Sequence, residues 1–172
     1  MDRTKIYPTP EERMDFVIHL AQSNVSHQTG GPFGAAVFDM DTHQLISIGM
    51  NLVISSHCSS NHAEIVALTF AQQTLNSFSL NAEGLPRCEL VSSSEPCAMC
   101  FGAVPWSGIR YLSCGATAKD AESIGFDEGP KHPNWVQELE KRGITVATEI
   151  KRKAAAQVLQ NYHNNHGLIY NA

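Results

Sequence analysis

His62-Ala63-Glu64 and Pro96-Cys97-Ala98-Met99-Cys100 place one imidazole, two thiols and one carboxylate on short, fixed spacings. His62, Cys97 and Cys100 can hold a Zn²⁺ ion and leave its fourth position open for water, as catalytic zinc sites do and closed structural sites do not. Glu64, two residues after the His, is placed to move protons rather than to bind metal. One zinc ion per chain is the cofactor these residues predict. A lone His-x-Glu is close to chance, and a lone C-x-x-C also serves structural zinc and redox pairs. No second C-x-x-C is present to close a structural site. A redox pair would leave His-Ala-Glu unexplained.

Both segments read as helix starts, where unpaired N–H groups and the helix dipole favour negative charge. That setting should hold Cys97 and Cys100 as thiolates. Zinc would acidify its water towards a pKa of about 7. Working outward, Thr9-Pro10-Glu11-Glu12 is a capping box with Pro at the first helical position. Met14, Val17, Ile18, Ala21 and Val25 follow at helical spacing and should face a core. A Gly-rich turn, Gly30-Gly31-Pro32-Phe33-Gly34, leads into an apolar strand over 35–38, a hairpin turn over 39–43 and a return strand over 45–50. The loop 55–61 delivers His62 to a helix ending near Thr74. A strand over 89–92, a helix over 98–106 and a strand over 109–113 come next. Helical patterns then cover 119–123 and 135–141, Gly143 is a stop signal, and a strand over 144–147 precedes a helix over 151–162. A hairpin followed by alternating helices and strands implies an α/β fold in three layers, α/β/α, around a mixed sheet.

The composition fits one domain over residues 1–172. Seventeen acidic against twelve basic residues give a formal charge of −5. The basic run Lys151-Arg152-Lys153 is short, so the charge counts against a nucleic-acid partner, which usually meets a concentrated basic face. No apolar run is long enough to span a membrane, and the polar start Met1-Asp2-Arg3-Thr4-Lys5 lacks a signal-peptide core. An odd total of five cysteines argues against a disulfide scaffold. Cys88 and Cys114 should be small buried residues, and Cys58 lies outside a ligand set that is already complete. These readings predict a cytoplasmic protein.

With these motifs in place, the chain resembles the cytidine and deoxycytidylate deaminase superfamily, in the branch that holds bacterial guanine deaminases and, more distantly, tRNA adenosine deaminases. The residues that carry the likeness are Gly30-Gly31-Pro32-Phe33-Gly34-Ala35, Asn51, His62-Ala63-Glu64 and Glu95 through Ala103. The resemblance implies a five-stranded mixed sheet of the cytidine deaminase-like type, a homodimer, and hydrolytic release of ammonia from a nucleobase. Within the branch, guanine deaminases resemble the chain in Trp106, six residues after the second Cys, and in Gly125-Phe126-Asp127-Glu128. The likeness makes Glu128 a second catalytic carboxylate beside Glu64, has Asn51 hydrogen-bond the base and Phe33 stack on it, and adds Ala63, Trp106 and Tyr170 to the substrate-binding set. Two segments depart from the pattern: Cys58-Ser59-Ser60-Asn61, where many relatives carry Asp-Pro-Thr-Ala in a pocket-lining loop, and Gly129-Pro130-Lys131-His132-Pro133.

The leading expectation is deamination of guanine or a related aminated purine. A nucleoside, cytosine or triazine deaminase would use the same chemistry, a tRNA adenosine deaminase would need more basic surface, and a zinc-stabilised binding module would not need Glu64. The end of the chain, Leu168-Ile169-Tyr170-Asn171-Ala172, is apolar for a tail. By the same resemblance the segment 151–172 caps an active site, and the partner's is the expected one.

Overall fold

The computed structural model describes residues 5–170. Thr9 caps α1 (Pro10–Ser26) as its sequence requires: the Glu12 amide donates to Thr9 Oγ1 at 3.2 Å and the Thr9 amide donates to the Glu12 carboxylate at 3.0 Å. Two amides left unpaired by the helix start are satisfied in this way. There follow β1 (Gly34–Asp39), β2 (Leu45–Met50), α2 (Val53–Ser56), α3 (Ala63–Thr74), β3 (Cys88–Ser94) and α4 (Ala98–Ser107). The chain continues through β4 (Tyr111–Ala116), α5 (Ala118–Glu122), α6 (Trp135–Glu140), β5 (Thr145–Ala147) and α7 (Arg152–Asn164).

The five strands form one mixed sheet in the order β2-β1-β3-β4-β5, antiparallel across β2, β1 and β3 and parallel across β3, β4 and β5. Alternate residues of β1 serve opposite faces. Ala36 and Phe38 pack with Met14, Val17, Val158 and Leu159, whereas Ala35 and Val37 pack with Ala67, Leu68, Val104 and Leu139. Helices α1 and α7 thus cover one face and α3, α4 and α6 the other. A strand buried on both faces reads as a continuous apolar run, which is what residues 35–38 show. Among the described residues no helix is long and apolar enough to cross a membrane.

Two elements differ from the sequence reading. The stretch before Ser55 carries the short helix α2 instead of entering an irregular loop directly. Strand β4 starts two residues late and runs on to Ala116. Gly108, left-handed at φ +84°, ends α4, and Ile109 is spent in the core before pairing begins between Tyr111 and Glu89. The apolar pattern that placed a strand from Ile109 gave no sign of where the ladder starts.

Two devices fix the layers that carry the site. Gly49 in β2 faces the first turn of α3 so closely that a Cβ there would collide with the Ala63 carbonyl oxygen. The absent side chain lets α3 lie flat on the sheet and sets the position of His62. On the opposite face, Arg13 of α1 meets Glu89 of β3 at 2.7 Å with both side chains almost fully buried. Ser113 Oγ donates to the second carboxylate oxygen at 2.6 Å, and Arg13 Nη1 donates to the Tyr7 carbonyl at 2.8 Å. Breaking a buried pair from one side strands a charge at a cost of about 3–5 kcal/mol. Arg13→Met should therefore lower the melting temperature by roughly 6–20 °C at about 2–4 °C per kcal/mol. Arg13→Met combined with Glu89→Leu should recover much of that loss, as thermal melts of the two proteins would show.

Candidate active site

His62 is the N-cap of α3, Cys97 is the N-cap of α4, and Cys100 sits in the first turn of α4. Neither N-cap side chain bonds to its own helix, so both are free to face each other across the gap between the two helix starts. One ligand atom from each of His62, Cys97 and Cys100 lies within 4.8 Å of the others, and Cys97 Sγ is 3.5 Å from His62 Nδ1. Zinc–sulfur and zinc–nitrogen bonds of about 2.3 and 2.0 Å at a tetrahedral angle require a sulfur–nitrogen edge of about 3.5 Å. Geometry and donor chemistry both fit zinc, with three protein ligands and a fourth position left over.

The charges at the site follow from the same geometry. Cys97 is lowered to about 4, chiefly because its sulfur accepts a hydrogen bond from Cys100 and another from His62. Cys100 departs from the sequence reading: its thiol is pushed well up, because it donates to Cys97 and because it is buried. Before metal arrives, then, one thiolate and one thiol share the site, and metal binding releases the remaining proton. His62 loses basicity to burial but gains more from its bond to Cys97 and from nearby carboxylates, and ends above its usual value. Glu64, on the second residue of α3, is buried and raised by burial and then by the Cys97 charge.

His62, Glu64 and Cys97 line a small cleft together with Phe33, Asn51, Glu95, Phe126, Glu128 and Tyr170. Glu128 is not a solvated loop charge. It is buried, burial and the Cys97 charge push its carboxyl up to about 8, and its Oε2 has no protein hydrogen-bond partner among the described residues. Asn51 follows β2 and is buried, its amide donating to the Phe33 carbonyl at 3.1 Å. Behind it, fully buried Asn24 of α1 donates to the carbonyls of Gly31 and Asn51, both at 2.8 Å. That side chain ties the Gly-rich turn to the end of β2, so that Phe33 and Asn51 keep a fixed relation. Phe126 is the hub of the aromatic wall, 5.0 Å from Phe33 and 5.2 Å from Tyr170 between ring centroids, both edge-on.

Two expected residues and one loop place no side chain in this chain's own cleft. Trp106 stands 88% exposed at the far end of α4, remote from the helix start that holds Cys97. Ala63 has its side chain in the core under α3 and does not line the cleft; only its backbone amide belongs to the uncapped first turn. The segment Cys58-Ser59-Ser60-Asn61 does not line the cleft either, and Cys58 instead contacts Ser60 Oγ at 3.2 Å. Tyr170 lines the cleft of its own chain, its hydroxyl 2.6 Å from where a Cβ on Gly31 would lie. Only five residues separate the end of α7 from Tyr170, and His166 turns the chain back in a left-handed conformation at φ +57°. Asn171 and Ala172 lie outside the described residues. Sequence reasoning missed Glu95, Phe126 and Asn24. Glu95 and Phe126 lie inside quoted motifs, but Asn24 looks like any polar residue near a helix end.

Since the metal needs all three donors and Glu64 is not one of them, two substitutions should separate their parts. Cys100→Ser should lose most of its zinc, whereas Glu64→Gln should purify with the same zinc content as the parent protein. Metal analysis of the two proteins checks this directly.

Residues 8–116 match the family model for the cytidine and deoxycytidylate deaminase zinc-binding region. The chain is 34% identical to the guanine deaminase of Bacillus subtilis over 149 residues, which is 86% of this chain and 91% of the relative. Among solved structures it is similar to a guanine deaminase from Nitrosomonas europaea, with a TM-score of 0.92 and 50% identity over 95% of this chain and 89% of that one. The protein NE0047 in complex with 2,6-diaminopurine superposes with a TM-score of 0.92 and 51% identity, covering 97% of this chain and 88% of that one. On this evidence the chain belongs to the cytidine and deoxycytidylate deaminase family, and its activity is the hydrolytic, zinc-dependent removal of an amine.

Proposed function

We propose that the chain deaminates a free aminated purine, guanine before others, and releases ammonia. The observation that carries this reading is Glu128, a buried carboxyl with an unpartnered oxygen in the same cleft as Glu64 and His62. Two proton-handling groups suit a reaction in which water adds to a ring carbon and the amine leaves. The relatives named guanine deaminase and the neighbour that binds 2,6-diaminopurine support a purine. The small cleft, closed on one side by Tyr170, suits a base without a large substituent.

His62, Cys97 and Cys100 would hold one zinc ion per chain, which would supply a water acidified enough to attack at neutral pH. Glu64 takes the proton that this water gives up and returns it to the adjacent ring nitrogen. A carboxyl raised by burial is suited to both halves of that transfer. Glu128, on the other side of the cleft, protonates the departing amine. The carbon–nitrogen bond breaks and ammonia leaves, the hydroxyl left on the carbon gives its proton to Glu64 and becomes the carbonyl, and exchange with solvent returns Glu64 to the carboxylate and Glu128 to the acid. Asn51 orients the ring by hydrogen bonding, Phe33 and Phe126 give it an apolar wall, the Ala63 amide offers a donor at the start of α3, and Tyr170 excludes water. Residues 1–172 act in this reading as one deaminase domain in which Tyr170 caps its own site. Its five free cysteines suit a cytoplasmic location.

Glu128→Gln should lower kcat for guanine by roughly the 10²–10⁴-fold that follows loss of an acid–base group, with zinc content unchanged. Ammonia release measured across guanine, 2,6-diaminopurine, adenosine, cytosine, a triazine and a tRNA stem-loop tests the substrate reading. Preference for any compound outside the free purines would overturn it.

Trp106 has a different use. Helix α4 is apolar on every side, as buried helices are, yet Met99, Gly102 and Trp106 face outward at helical spacing. Beside them Ile65, Thr69 and Gln72 of α3 add no charge. We infer a homodimer across this face, since two copies of a chain with a formal charge of −5 can meet there without opposing like charges. Light scattering should give the mass of a dimer for the parent protein and of a monomer for Trp106→Glu. A monomeric parent protein would contradict the assignment.

A further inference from the structure

Glu128 sits on a connecting segment anchored at its start by the buried ring of Phe126. Residues 126–134, between α5 and α6, form no helix or strand. Around Glu128 the Gly129 amide donates to Asp127 Oδ1 at 2.7 Å, the Lys131 amide to the Gly129 carbonyl at 2.7 Å, and the Ala98 amide to the Glu128 carbonyl at 2.9 Å. None of these bonds involves the Glu128 carboxyl itself. A catalytic carboxyl on such a segment needs a tether, because a displacement of about 1 Å can cost on the order of 10²-fold in rate.

Lys131 provides a strong tether. Its side chain is only 10% exposed, and its ammonium lies 3.3 Å from Glu95 Oε2, whose side chain is 14% exposed. The same ammonium lies 5.1 Å from the ring centroid of Trp135, within cation–π range. Glu95 Oε2 is itself fixed by the Ala118 amide at 3.1 Å. An ammonium withdrawn this far from water is retained only where its partners compensate it. Lys131 lies three residues after Glu128, and Glu95 lies two residues before Cys97. Their ion pair therefore closes a bracket, with the backbone bond between Glu128 and Ala98 at its centre. The residues 129–133, which depart from the pattern of guanine deaminases, are those that carry this ammonium.

We propose that Lys131 is a positioning residue for the deamination: its ion pair with Glu95 ties the segment bearing Glu128 to the segment bearing Cys97 and holds the Glu128 carboxyl against the cleft. This rests on the reading of Glu128 as a proton-handling group. Neither Lys131 nor Glu95 needs to touch the substrate for the tether to work.

The test compares Lys131→Met, Lys131→Arg, Glu95→Gln, Glu128→Gln and the Glu128→Gln/Lys131→Met double variant in steady-state kinetics on guanine, with zinc analysis and hydrogen–deuterium exchange of the peptide covering 126–134. Lys131→Met should lower kcat by roughly 10–100-fold, in line with a misplaced group, with little change in KM and full zinc content. Lys131→Arg, which keeps the charge, should restore most of the loss. Glu95→Gln breaks the same pair from the other side and should match Lys131→Met, so the proposal remains testable if one of the two fails to fold. In the Glu128→Gln background, Lys131→Met should add no further loss, as expected of residues acting through one group. Amides of 126–134 should exchange several-fold faster in Lys131→Met and return towards the parent rate in Lys131→Arg, whatever base is turned over. Parent-like kcat and exchange in Lys131→Met would overturn the tether while leaving Glu128 in place. A near-normal kcat in Glu128→Gln would instead overturn the role of Glu128, on which the tether rests.

Discussion

The approach of two helix starts is the constraint from which the rest of this structure follows. His62 caps α3 and Cys97 caps α4, and their ligand atoms stand 3.5 Å apart. For that to happen α3 must lie flat on β2, which Gly49 permits, and α4 must start at Ala98, four residues after β3 ends at Ser94. The sheet order places β1 between β2 and β3. The two helices that carry the ligands therefore pack on one face of the sheet, across β1. The opposite face, built from α1 and α7, serves as ballast and brace, with the Arg13–Glu89 pair locking it to the centre of the sheet.

Burial gives each acid at the cleft its character. Glu64, Glu95 and Glu128 all line the same small volume, and in water they would be three equivalent carboxylates. Here Glu64 and Glu128 are raised by burial and by the Cys97 charge, whereas Glu95 is paired with Lys131 and the Ala118 amide. Groups of one chemical type are thereby set apart by their surroundings: two are raised by burial, and one is held in an ion pair. Division of labour by environment is how a single cleft performs acid and base chemistry near neutral pH.

The sequence made the metal triad and Glu64 legible because metal chemistry restricts residue type and spacing tightly. The strands at 35–38 and 45–50 and the capped start of α1 were legible for a similar reason, since periodicity and capping are local. Glu128 was readable only through resemblance, as nothing in Gly125-Phe126-Asp127-Glu128 announces that the loop folds inward. Asn24 and Lys131 were invisible. Their roles arise from contacts with Asn51, 27 residues away, and with Glu95, 36 residues away, and no local pattern encodes such a pairing. Trp106 shows the opposite failure. The resemblance placed it with the substrate, whereas the length of α4 carries it away from the pocket of its own chain and out to the surface.

The account stands on a three-ligand metal site with one open position, and zinc-edge X-ray absorption on the purified protein tests that most directly. It should show two sulfur neighbours at about 2.3 Å and two lighter neighbours, nitrogen and oxygen, at about 2.0–2.1 Å. A third sulfur shell contribution, as Cys58 would give by joining the site, or a protein that carries no zinc when purified without chelator, would contradict the central claim.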